Sequence, residues 1–202
     1  MRGVNLVGEL RLAITDYFRP DAVADMLKQL QARYPRLRLH VTVRKSLQIE
    51  QETPGCGFDL GLSMRILDGR SLPEGIPVRR EPLNWIAGVG FEPSTQDPLP
   101  LLVLPEGCSL QRFVRQVLEA QGVPYVIAHS ASGVAGLQSA VVAGLGIACL
   151  NTSAIPAGAA ICRSMRHLPR LPEVEFSLLP PREGEAALIG EVRAMLAAQL
   201  AA

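Results

Sequence analysis

Apolar residues change their spacing twice within the first 43 positions, and that change limits the possible folds more than any other feature of the chain. Leu10, Leu12 and Ile14 alternate with Arg11 and Ala13, the period of two of a half-buried strand that ends at Thr15-Asp16. Behind Pro20, which suits a first helical turn, Val23, Met26, Leu27, Leu30 and Tyr34 recur at i, i+3, i+4, i+7 and i+11, so the spacing predicts an amphipathic helix of about 14 residues. Pro35 stops it, and Leu37, Leu39, Val41 and Val43 alternate with Arg36, Arg38, His40 and Thr42 as a second strand. Strand, helix and strand in this order imply parallel strands joined by a right-handed crossover, which places the chain in the α/β class.

The alternation continues. A weakly helical stretch runs from Ser46 to Thr53, and Phe58 to Leu62 reads as a third short strand. Residues 65 to 82 read as connection, because Asp68-Gly69, Pro73, Gly75, Pro77 and Pro82 deny a long regular element. A new apolar run from Leu83 to Val89 opens a second lobe, with Pro93 to Pro100 as its first loop and Leu101 to Leu104 as a strand. Ser109 is placed to cap a helix whose apolar face is Leu110, Phe113, Val114, Val117 and Leu118, and Gly122 to end it. Tyr125 to His129 is a strand, residues 133 to 143 a helix, and Ile147 to Leu150 a buried strand. Past Pro156 one more strand, Val174 to Leu179, and a helix from about Glu183 complete the chain, and these two elements need a home in one of the lobes.

With 202 residues there is room for one sizeable domain or two lobes of about 100 residues each. Lys plus Arg number 20 against 19 Asp plus Glu, a formal net charge of +1 that lacks the electrostatic footprint of a nucleic-acid-binding domain. The longest apolar stretch, around residues 134 to 150, is broken by Gly136, Gly144 and Gly146, so no membrane partner is expected. Met1 to Asn5 has neither an apolar signal core nor a small-residue cleavage site, and a cytoplasmic location follows as the expectation. Cys56, Cys108, Cys149 and Cys162 form no C-x-x-C pair, which suits reduced structural thiols.

Signatures of catalysis are missing from the sequence. His40, His129 and His167 lie far apart with no metal-ligand spacing, and neither G-x-S-x-G, G-x-G-x-x-G nor G-x-x-x-x-G-K-[ST] occurs, so no enzyme activity, metal or cofactor is expected. Asp59 reads as a polar residue at a strand start. What the sequence does offer is small polar residues ahead of helices, at Thr15-Asp16, Ser109 and Ser130 to Gly133. Such residues cap helices, and the free N–H groups of a helix N-terminus also receive anions and carboxylates. In an open α/β sheet these loops collect at the carboxyl ends of the strands, where ligands bind.

Five segments carry a resemblance. G-E-L-R-L-A-I-T at 8 to 15, the run from Gln31 to Val41 and F-D-L-G-L at 58 to 62 resemble the first regulatory subdomain of LysR-type transcriptional regulators. L-P-E-G-C-S-L at 104 to 110 and S-A-V-V-A-G-L-G-I-A-C-L at 139 to 150 resemble the second. The resemblance implies two Rossmann-like α/β subdomains joined by crossover strands, like a type 2 periplasmic binding protein, with residues 1–81 and 161–202 in the first and 82–160 in the second. It also implies a small-molecule effector in the interlobe cleft, a homodimer or homotetramer, and DNA contact only through a winged helix-turn-helix that would lie ahead of Met1. Matched to the family's effector-contacting places are Thr15, Asp16, Ser109, Ser132, Gly133 and, at the hinge, Leu150-Asn151.

Asp16 departs from the neutral residue frequent in the family and favours an amine or hydroxyl effector over an anion. The loop from Gly90 to Pro98 lacks the family's His-Pro-Leu run. Cys108 lies near the reactive cysteine of peroxide-sensing members, whose place falls on Ser109, so it is expected to be a structural thiol. Pairing of the family's kind would set helix 22–34 of one copy against helix 110–121 of another. The other reading of the same fold is an exported or stand-alone solute-binding protein, which an export signal upstream of Met1 would reveal.

Overall fold

A computed structural model describes residues 8–18, 20–52, 57–69, 75–91, 97–105, 107–163, 165 and 167–200. The chain divides into two compact units, Met1–Arg80 with Glu175–Ala202 and Glu81–Val174. It is an α/β structure of mixed strand direction.

In the first unit, β1 (Gly8–Thr15), α1 (Pro20–Arg33) and β2 (Leu37–Arg44) form the β-α-β unit that the spacing requires, with β1 and β2 parallel from Gly8 opposite Leu37 to Thr15 opposite Arg44. The short helix α2 (Ser46–Gln51) leads to β3 (Leu60–Ile66), which lies parallel to β1 on its other side. Leu10, Leu12 and Ile14 of β1 are buried as their alternation predicts, Ala13 on the opposite face is buried as well, and the helical stripe of α1 buries Met26 and Leu30. Phe58 precedes β3 rather than opening it. Its ring is fully enclosed with Ala13 and Ile49, and the Arg182 guanidinium lies 5.0 Å from its centroid. Asp59 is held by Arg11, whose backbone N–H donates to its carboxylate at 2.8 Å and whose side chain forms an ion pair at 2.9 Å. Burial alone would raise the Asp59 pKa, but the hydrogen bonds from Arg11 and the charges of Arg11 and Arg182 outweigh it and hold the carboxyl below its usual range.

β4 runs without a break from Ile76 to Gly88, through residues that the prolines had suggested were connection. Pro77 and Pro82 remove two N–H donors, yet their fixed φ is compatible with an extended strand, and each biases the residue before it to extended backbone. β4 carries the chain from the first unit to the second, and β9 (Glu173–Leu178) carries it back.

The second unit continues with β5 (Leu99–Val103), α3 (Ser109–Ala120), β6 (Tyr125–Ser130), α4 (Val134–Val142), β7 (Ile147–Asn151), a 3-10 turn over Thr152–Ala154 and β8 (Ala159–Ile161). β5 is parallel to both β6 and β7, and β4 pairs antiparallel with β7 and β8. Residues 161–174, expected with the first lobe, lie in the second unit instead. The Cys162 N–H donates to the Trp85 carbonyl at 2.9 Å, the Trp85 indole N–H to the Pro169 carbonyl at 2.8 Å, and the Leu83 N–H to the Pro172 carbonyl at 3.1 Å. Three bonds along one strand tie that segment down before the chain returns. Cys56 and residues 93–96 of the expected Pro93–Pro100 loop lie outside the described residues. No helix among the described residues is long and apolar enough to cross a membrane.

The last helix, α5 (Ala187–Leu200), begins four residues later than the expected Glu183. Gly184 takes a positive φ of +73°, and the Glu185 N–H bonds to the Arg182 carbonyl, so 182–185 form a turn ahead of the helix. Both carboxylate oxygens of Glu185 accept from Arg193, which is 3 % exposed. The hydrogen bond from Arg193 holds the Glu185 carboxyl below its usual range against the opposing effect of burial. Glu185→Gln leaves the buried guanidinium without its charge partner, and the expected loss is about 1–2 kcal/mol at pH 7, below the cost of removing the partner outright because the glutamine carbonyl still accepts from Arg193. A carboxyl whose pKa is depressed by folding stabilises above its unfolded pKa and ceases to do so as pH falls through the folded value. Urea melts of wild type and Glu185→Gln therefore converge at acid pH, and a gap that stays constant to pH 2 would contradict this pairing.

Candidate functional site

In each unit the loops at the carboxyl ends of parallel strands gather the polar residues that the sequence singles out. In the first unit Thr15 ends β1 and is 2 % exposed. The Met64 N–H donates to the Ser46 hydroxyl at 3.0 Å, and Ser46 donates to Thr15 Oγ1 at 3.2 Å. This chain gives the Thr15 hydroxyl its acceptor bond and leaves it a proton of its own to donate. Ser46 escaped the sequence reading, since a serine at a helix start is an ordinary residue and its link to β1 spans 31 positions. Asp16 follows in the turn, half-buried, between Thr15 and the buried Tyr17 and Phe18. The Phe18 ring meets Phe176 edge-on at 5.0 Å and anchors that turn.

In the second unit Cys108, not Ser109, is the N-cap of α3. Its backbone is extended, at φ −81° and ψ 121°, and its carbonyl accepts the Arg112 N–H, which makes Ser109 the first residue inside the helix. No side chain caps this terminus, and no acidic residue lies in its first turn. The helix end therefore keeps its positive partial charge and its first N–H groups without intrahelical partners. Gly133 is the N-cap of α4, again with no side-chain cap, and Ser132 just before it is exposed. The Ala131 N–H donates to the Val103 carbonyl at 3.0 Å, which binds this loop to the end of β5.

Asn151 ends β7, parallel to β5, and is fully buried. Its Nδ2 donates to Glu81 Oε2 at 2.9 Å and to Ser153 Oγ at 3.1 Å, and the Ser153 N–H donates to the same Glu81 oxygen at 2.8 Å. A second carboxylate, Glu175, is wholly enclosed in the first unit, where Arg80 Nε donates to it at 2.7 Å and Ser177 Oγ at 3.2 Å. Neither glutamate is legible as special in the sequence, because Glu81 lies in a stretch that reads as connection and Glu175 in a strand whose spacing says only that the position alternates.

Among the described residues, Cys108, Cys149 and Cys162 form no disulfide. Burial, with a smaller contribution from Cys108, pushes the Cys149 thiol far above its usual range, and burial raises Cys162 as well, so both remain protonated at neutral pH. Among the described residues no group of three His, Cys, Asp or Glu could hold a metal ion. The hydroxyls, helix ends and backbone amides of these loops are equipped to bind and orient a small polar molecule.

The profile of the LysR substrate binding domain family matches residues 5–201. A curated relative, the HTH-type transcriptional regulator DgdR of Burkholderia cepacia, is 29 % identical over 199 residues, covering 96 % of this chain and 66 % of DgdR. The chain thus spans just under two thirds of that relative's length. Among solved structures, the regulatory domain of HypT from Salmonella typhimurium aligns with a TM-score of 0.76 at 14 % identity, over 98 % of each chain. The CcmR regulatory domain of Synechocystis PCC6803 aligns with a TM-score of 0.70 at 17 % identity, over 95 % of this chain and 96 % of that one. At these identities the two structures speak to the fold, which is the two-subdomain type of LysR regulatory domains.

Proposed function

Because the chain belongs to the LysR substrate binding domain family, whose curated relatives are transcriptional regulators and not enzymes, we propose that it senses a small-molecule effector through the strand-end loops of its two units. Thr15 and Asp16 act from the first unit, and Ser109, Ser132 and Gly133 from the second. Asn151, with its amide turned to Glu81 and Ser153, positions the end of β7. The observation that carries this reading is that Thr15 and the starts of α3 and α4 all stand at the carboxyl ends of parallel strands, β1, β5 and β6.

The CcmR regulatory domain was solved in complex with 2-PG, so a domain of this fold can hold a small molecule. Here the Asp16 carboxylate disfavours a negative group beside Thr15, and the effector is an amine or a polyol in that part of the site. Binding shifts the population of domain arrangements and through them the geometry of a paired copy, α1 of one protomer lying against α3 of the other. A DNA-binding segment ahead of this one completes a cytoplasmic regulator that acts as a homodimer or homotetramer.

A thermal-shift screen of amines, amino acids and polyols tests the proposal. A ligand that raises the melting temperature of the wild type is expected to bind at least fivefold more weakly to Thr15→Val and to Ser132→Ala, since each removes one neutral hydrogen bond worth about 1 kcal/mol. Equal affinity for all three proteins would remove these loops from the site.

A further inference from the structure

No Asp, Glu, Lys or Arg stands between Glu119 and Arg163, in a chain of which 19 % is charged. That uncharged stretch builds β6, α4, β7 and β8 of the second unit. From it Val142, Leu145 and Ile161 are 48 %, 49 % and 36 % exposed, and Val89, just past the end of β4, is 74 % exposed. We propose that these side chains form one apolar surface by which the second unit pairs with the same surface of a second copy of the chain, an interface distinct from the pairing of α1 with α3.

The four residues are distant in sequence and adjacent in the fold. A Cβ at Gly158 would stand 3.4 Å from Val142 Cγ1, and the Val89 N–H donates to the Gly158 carbonyl at 2.9 Å, so Val142 and Val89 flank one glycine. The Leu145 N–H donates to the Ala140 carbonyl at 3.1 Å, which folds Leu145 back onto the last turn of α4. A Cβ at Gly88 would stand 2.6 Å from the Val141 carbonyl oxygen, so Gly88 points to the face of the sheet that α4 covers. In β8, Ala159 lies opposite Gly88 and Ile161 opposite Ile86, and the alternation of strand residues puts Ile161 on that same face. α3 lies on the other one. β5 to β6 steps to the sheet edge and β6 to β7 steps back past β5, and right-handed crossovers in opposite directions set their helices on opposite faces.

The lack of charge selects the occupant. A charged group seated on this surface would give up its hydration with no counter-ion to meet it from β6, α4, β7 or β8. Its partner is therefore an uncharged apolar face, and the chain itself carries one. Twofold symmetry sets the surface against itself, so each contact is made twice and no like charges are opposed. Apolar residues scattered singly over a surface need no such partner, but here three elements bring theirs to one place. Arg163, two residues past Ile161, supplies a polar rim. The surface stands without the α1–α3 pairing, and where both form, two different twofold contacts make four copies the closed assembly.

Sedimentation velocity of the 202-residue chain from about 1 to about 300 µM, read beside circular dichroism, tests the proposal. The wild type is expected to self-associate, and Val142→Glu combined with Leu145→Glu to weaken that association at least tenfold. Val142→Lys combined with Leu145→Lys does the same. An equimolar mixture of the acidic and basic double variants recovers at least the wild-type association, because opposite charges now meet across the twofold. A chain that had lost its fold would not recover on mixing, so this arm separates lost contact from lost structure. The same mixture made in an Arg112→Glu background, on the exposed side of α3, recovers equally, which keeps a failure of the α1–α3 pairing distinct from a failure here. The proposal is overturned if the wild type stays monomeric throughout the range, if its association is indifferent to both double variants, or if mixing them recovers nothing.

Discussion

Gly146→Ala is expected to lower the melting temperature by roughly 10 °C or more. A Cβ at residue 146 would stand 2.3 Å from the Pro100 carbonyl oxygen and 3.1 Å from Leu102 Cδ2, and the backbone there has φ +157°. The carbonyl belongs to β5 and cannot swing aside as the end of a side chain could. Forced overpacking costs about 1–3 kcal/mol and an unfavourable backbone conformation a similar amount. For a chain of this size each kcal/mol moves the melting temperature by about 2–4 °C. Gly144, two residues earlier, is the control. It also has a positive φ, +72°, but no atom lies within 4 Å of its would-be Cβ, so Gly144→Ala meets conformational strain alone and is expected to cost about 1–2 kcal/mol. If calorimetry finds the two substitutions equal, the close approach to β5 does not govern residue 146.

The same pair of glycines explains what the run S-A-V-V-A-G-L-G-I-A-C-L builds. Gly144 reverses the chain after α4, and Gly146 lets the backbone slide against β5 before β7 begins. Periodicity showed the elements on either side, because burial on one face writes itself into spacing. It could not show how the elements are fastened. The Ser109 cap was misplaced by one residue, since Cys108 has the extended backbone of an N-cap without the side chain that usually marks one. Pro77 and Pro82 carry a breaker signal in the local pattern, which starts β4 at Leu83 where the structure starts it at Ile76. The bonds that hold its middle join residues 70 and 95 positions apart, Asn151 to Glu81 and Arg80 to Glu175, and no local pattern contains them. Of the site, the strand-end loops are legible from their small polar residues, whereas Ser46 emerges only when β1, α2 and β3 are in place.

Asn151→Leu is expected to destabilise the protein by about 3 kcal/mol, with a pH dependence in its charged counterpart that identifies the cause. Glu81 is 3 % exposed in the middle of β4, and its Oε2 accepts from both Asn151 Nδ2 and the Ser153 N–H. Leucine keeps the volume of the side chain but withdraws one of those donors from an enclosed carboxylate, and hydrogen bonds to charged groups are worth about 1.5–3 kcal/mol. Asn151→Asp is worse at neutral pH because it sets a second carboxylate against the first. One of two carboxyls sharing a buried site takes up a proton more readily than either would alone. The folded state then binds more protons than the unfolded chain, so the deficit of Asn151→Asp relative to wild type narrows as pH falls. Glu81→Gln combined with Asn151→Asp returns the site to one carboxylate facing one amide, and at least half of the lost stability is expected to come back. In a double-mutant cycle this appears as a coupling energy above about 1 kcal/mol, where independent sites would add within about 0.5 kcal/mol. Additivity would mean that Glu81 is held by Ser153 alone, and Asn151 would then be free of the structural duty that now separates it from the effector-contacting loops.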